Sequence, residues 1–122
     1  MIDHIGLIVH DYPASRAFYR RSLEPLGYVL VEDHGSVGAF GPPGMPLFWL
    51  YQGEPAHTAV HVALNAADRA AVDAFHAAAL AAGGADNGAP GLRPKYHEHY
   101  YGAFVFDPDG NNLEAVCHRP PG

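Results

Sequence analysis

The 122 residues are the size of one domain, and a hydrophobic share of 48% is enough for a core that stands without disulfides. A formal charge of −6 without any cluster of Lys and Arg argues against nucleic acid, whose phosphates call for grouped cations. The single Cys117 excludes an internal disulfide and a Cys-rich zinc site, which fits a cytoplasmic location; the opening MIDHIGLIVHDY lacks the basic start of a signal peptide and is too short in apolar residues to span a membrane.

In chain order, a first strand is expected over residues 3–9. Asp11 follows as the N-cap of a helix reaching about Leu23, and Pro13 is tolerated in its first turn because no intrahelical N–H bond is lost there. Gly27 ends this region. Strands are then expected over 28–33, 35–40 and 47–52, with GPPGMP as a turn-rich break before the last. Residues 51–57, YQGEPAH, read as a linker. A strand over 59–65 and a helix from the Asp68 cap to about Ala82 come next, closed by Gly83 and Gly84. Residues 85–99, ADNGAPGLRPKYHEH, read as a short strand and a long loop. Strands over 100–106 and 112–117 flank the turn DPDG.

The order repeats. Residues 4–27 align without a gap on residues 61–84, at an offset of 57. His4/His61, Leu7/Leu64, Asp11/Asp68, Phe18/Phe75 and Gly27/Gly84 are identical pairs, a mixture that shared helix composition would not easily produce. Each half is βαβββ, and the two make one α+β domain over 1–122, with module one at about 1–52 and module two at about 57–118.

Strand parity then sorts the side chains. Ile5, Leu7 and Val9 share the face a helix would cover, as do Val62 and Leu64, and Leu113, Ala115 and Cys117. His4, His61 and Glu114 fall on the other face, where Gly6 and Ala63 leave space above the sheet and Phe104 and Phe106 lie close by. Two imidazoles and a carboxylate on one partly apolar face form a candidate site for a divalent metal with open positions. The competing reading is polar strand-start residues and a carboxylate facing water on a half-exposed sheet.

The paired modules, DHIGLIVHD…AFYRRSLEPLGY, HVALNAAD and FDPDGNNLEAV, resemble the vicinal oxygen chelate superfamily over essentially the whole chain. That superfamily includes glyoxalase I, extradiol dioxygenases, fosfomycin-resistance enzymes and bleomycin-resistance proteins. The resemblance implies a cupped mixed sheet with the helices on its outer face. It places metal ligands on the first and last strand of each module, which here gives His4, His61 and Glu114. At the fourth position stands Trp49, which cannot ligate a metal and departs from the four-ligand pattern of glyoxalase I. The implied cofactor is one divalent ion, Zn, Ni, Mn, Fe or Co. The implied partner is a small-molecule substrate, with neither nucleic acid nor membrane, and the assembly a homodimer, its modules pairing within one chain or across the dimer.

In RPKYHEHYYGAFV, the candidates for catalysis are His97, His99 and Tyr101: imidazoles that could move a proton at neutral pH and a hydroxyl that could bind substrate oxygen. Trp49, Arg93, Tyr100 and Phe104 are the candidates for substrate binding. The competing reading is a solvated loop entering an edge strand, with Trp49 as ordinary packing. Two functions follow: a metal-dependent lyase, isomerase or dioxygenase, and a metal-free binding protein whose aromatic residues line a ligand groove.

Overall fold

Both predicted caps form. In the computed structural model, which describes residues 2–54 and 59–121, Asp11 accepts from the Ala14 N–H at 3.1 Å and Asp68 from the Ala71 N–H at 2.8 Å. They open α1 (Tyr12–Leu23) and α2 (Arg69–Ala81). Each cap supplies an oxygen to a free first-turn donor, so the helix begins at the Asp in both repeats.

The strands are β1 (Ile5–Val9), β2 (Val29–Asp33), β3 (Val37–Gly41), β4 (Phe48–Gln52), β5 (His61–Asn65), β6 (Ala85–Leu92), β7 (Tyr101–Phe106) and β8 (Asn112–Cys117). They form two four-stranded mixed sheets, ordered β1-β4-β3-β2 and β5-β8-β7-β6. Within each, the first strand runs parallel to the last, and the other pairs are antiparallel. The sheets are thus two copies of one topology, each with one helix, as the βαβββ repeat requires. Among the described residues no ladder joins them: β1 and β5 are each paired on one side only.

Most of the helix-facing residues predicted by parity are buried, while Ile5 and Val62 are half-buried and pack against the core. Leu7, Val9, Leu64, Leu113, Ala115 and Cys117 join Phe18, Tyr19, Leu23, Val72 and Phe75 in one core that spans both modules. The two helices pack on each other, and α2 also covers β6, β7 and β8.

Three expectations change. The loop expected after Gly84 is confined to residues 93–100, and the strand before it is longer than expected, the eight-residue β6. Its Gly and Pro are accommodated because β6 is an edge strand with register shifts between Asp86 and Gly88 and between Gly88 and Gly91. Tyr51 and Gln52 belong to β4 rather than to the linker, and residues 55–57 of that linker lie outside the described residues. The space expected above Gly6 is filled: a Cβ there would lie 2.6 Å from the Tyr51 ring, which stacks on Trp49 at 6.3 Å between centroids.

Candidate functional site

Glu114 lies in β8, opposite Phe104 of β7 and Ala63 of β5. Its side chain points away from the helices, yet it is only 1% exposed. A carboxylate so far from water needs partners. It has two. The Tyr100 hydroxyl donates to Oε2, and the His61 ring places Nε2 2.8 Å from Oε1. His61 reaches it because β5 runs parallel beside β8, with His61 one pleat before Ala63 on the same face. Burial, then the Glu114 hydrogen bond and charge, push the Tyr100 phenol above its ordinary range, so it stays a donor at neutral pH.

The turn before β8 is fixed by a buried hub. Asp107 accepts from the N–H groups of Asp109 and Asn111, from the Asn111 amide and from the Tyr19 hydroxyl of α1. These bonds tie the DPDG turn to the core, and the turn in turn aims the strand that carries Glu114.

Around Tyr100 stands a cage of rings. Tyr96 lies 4.8 Å away, and His118 and His97 meet it edge-on at 5.3 and 5.5 Å. His97 Nε2 is 2.8 Å from His118 Nδ1. The His99 backbone N–H donates to His97 Nδ1 at 3.1 Å. A backbone N–H can only donate, so Nδ1 carries no proton, and the neutral His97 ring donates from Nε2 to His118. The half-buried His99 ring lies 3.9 Å from Glu98.

The other sequence candidates separate. Phe104 lies beside His61, 6.2 Å between ring centroids, and Arg93 sits over its face at 5.5 Å. Tyr101 points the other way: it pairs with Cys117 on the helix-facing side, and its hydroxyl donates to Asp73 of α2 at 2.6 Å. Tyr100, read from the sequence only as a binding residue, holds the buried carboxylate instead. His118 shares the face of Glu114 by parity, but nothing in the sequence shows that His97 bonds to it.

His4 precedes β1 and bonds Asp3 through Nδ1 at 2.7 Å. His4 and His61 line the same groove, of about 610 Å³, between the unpaired edges of β1 and β5. Among the described residues no three His, Cys, Asp or Glu side chains converge within one chain. The structure therefore brings His61 to Glu114 and leaves His4 along the groove.

His61 and Glu114 suit a divalent ion as a pair. Two donors each about 2.1 Å from an ion and at right angles to each other lie roughly 3 Å apart, and the observed separation is 2.8 Å. The His61 side chain is 52% exposed, so the pair opens to the groove on one side while Glu114 is anchored on the other.

The fold agrees with that of solved structures. A family model of the Glyoxalase/Bleomycin resistance protein/Dioxygenase superfamily matches residues 1–115, and the chain belongs to that superfamily. It is similar to a glyoxalase/bleomycin resistance protein from Albidiferax ferrireducens T118, at 29% identity and a TM-score of 0.81, covering 94% of this chain and 97% of that one. The fold is shared with a lactoylglutathione lyase from Agrobacterium tumefaciens, at 23% identity and a TM-score of 0.68, over 96% of this chain and 92% of that one. It is shared also with the oxidase ChaP-H2, at 24% identity and a TM-score of 0.66, over 100% of this chain and 95% of that one. Comparison with curated proteins gives no match.

Proposed function

We propose that this protein is a divalent-metal-dependent enzyme acting on a small molecule that offers two neighbouring oxygens. His61 and Glu114 hold the ion, and His4 completes the set. The observation that carries this reading is the buried Glu114 with its Oε1 2.8 Å from His61 Nε2. A bound divalent ion supplies Lewis acidity to substrate oxygens and favours an oxyanionic state.

The chain's own residues do the rest. Tyr100 occupies Oε2 and so leaves Oε1 as the oxygen Glu114 presents beside His61. Phe104 lies next to His61 as an apolar wall. His97 and His118 form a bonded imidazole pair against the Tyr100 ring. Elemental analysis of protein purified without chelator tests the reading. Metal retained by the wild type and lost from His61→Ala is expected; no bound ion, or unchanged retention by His61→Ala, contradicts it.

The alternative, a metal-free binding protein akin to bleomycin-resistance members, draws support from the stacked Trp49 and Tyr51 rings, with Tyr51 lying over Gly6 beside the groove. Undiminished ligand binding in chelator, together with no effect of His61→Ala, favours this alternative.

A further inference from the structure

We propose that the hollow where β6 meets β7 is an anion subsite that takes the carboxylate of a small organic acid, whose oxygen-bearing end reaches His61 and Glu114. The second half of this statement rests on the function proposed above; the subsite itself does not. The hollow, of about 330 Å³, is lined by Asn87, Gly88, Arg93, Lys95, Tyr96 and Phe104, together with Asn112. Its two cations stand out on a chain of net charge −6, and Lys95 is the only lysine. Among the described residues neither has a carboxylate partner within salt-bridge distance.

Arg93 is held in place rather than free in solvent. Its Nη2 donates to the Ala89 carbonyl at 2.7 Å, its Nη1 reaches Leu92 O at 3.5 Å, and its guanidinium lies over Phe104. The strand beneath makes room for it. A Cβ at Gly88 would lie 3.3 Å from Nη2 and 2.9 Å from the Phe104 ring, and one at Gly91 would lie 3.1 Å from Nη1. Gly88 also has φ +151°, a conformation that side chains rarely adopt. The glycines that made this segment look like a loop let the guanidinium fold back onto the strand.

A planar fork with unspent N–H groups and an ammonium beside it is suited to a carboxylate. The Asn87 amide donates to Asn112 Oδ1 at 3.2 Å, adding polar groups at the floor. Phe104 is the wall shared with the site: Arg93 lies on its face and His61 packs beside it. The hollow and the His61 side of the site thus border the same ring.

Benzoate and its neutral isostere benzamide test this by two-dimensional NMR titration of the full chain, first in chelator and then with divalent metal. Benzoate is expected to shift the amides of Gly88, Arg93 and Phe104 and to bind about tenfold more tightly than benzamide, a preference that added salt reduces. Arg93→Gln is expected to abolish the preference, and Arg93→Lys, which keeps the charge but loses the fork, to retain part of it. Equal binding of the two probes, shifts confined to other residues, no binding, or a preference unchanged in Arg93→Gln would each overturn the subsite. If the preference persists in chelator while no ion binds, only the metal-dependent function fails. If the ion binds but the preference is absent, only the subsite fails.

Discussion

A buried Glu114 whose two oxygens are divided between a phenol and an imidazole is the residue on which the account turns. Removing the phenolic oxygen leaves the ring in its cage but frees the carboxylate to rotate. Tyr100→Phe is therefore expected to stay folded and to lose roughly 10- to 100-fold in divalent-metal affinity, measured by competition with a chromogenic chelator. Unchanged affinity would remove Tyr100 from the site. Tyrosine ionisation supplies a second test. Burial and Asp33 push Tyr12 up to about 12, and burial raises Tyr19 and Tyr100 as well. A raised native value means the folded state favours the protonated phenol. The resulting stabilisation is complete below the unfolded value of about 10 and is lost as pH rises through the native values. Urea midpoints should fall across that alkaline range; midpoints that rise there would contradict the burial of these phenols. At this scale alternation along a strand, a strict geometric rule, put His61 and Glu114 on one face, and the structure has them in contact. The sequence did not reveal which other group Glu114 bonds, because Tyr100 is delivered by turns, whose path has no periodicity to read.

At the scale of elements, the same contrast runs through β6 and β8. Alternating residues after a Pro-Gly turn make β8 legible, and its boundaries match the expectation at residues 112–117. The length of β6 was hidden by its composition. Ala85–Leu92 has little β-propensity, and it is a strand because β7 offers an edge to pair with and two register shifts absorb the misfit. The turn between β7 and β8 was legible as a turn but not as the hub it is, since Asp107 draws bonds from both its own turn and Tyr19 of α1. Asp107→Ala leaves several buried donors without an acceptor. It is expected to cost about 3 kcal/mol in chemical denaturation, and a loss of under about 0.5 kcal/mol, typical of an exposed position, would show that the hub does not hold the turn.

For the whole molecule, the 57-residue repeat predicted two equivalent modules and both are present. How the modules of different copies meet could not be read, because parity describes strands and not the relation between sheets. Among the described residues the outer edges of β1 and β5 are unpaired and line a common groove, and exposed edges are templates for pairing. We propose that a second copy docks there and that His4 of one copy completes the His61–Glu114 pair of the other. Co-expression of His4→Ala with His61→Ala tests this. A mixed dimer would contain one intact site and should recover about half the wild-type metal content, whereas no recovery would place all ligands in one chain.

No helix among the described residues is long and apolar enough to cross a membrane. Isothermal titration of the metal-free wild type and of Glu114→Gln with a divalent ion is the most direct test. Gln keeps the size of the side chain and an acceptor for Tyr100 but removes the charge. One ion per chain for the wild type, bound at least tenfold more weakly by a folded Glu114→Gln, is the predicted result; equal affinity in both proteins, or no binding by either, would contradict a metal held by His61 and Glu114.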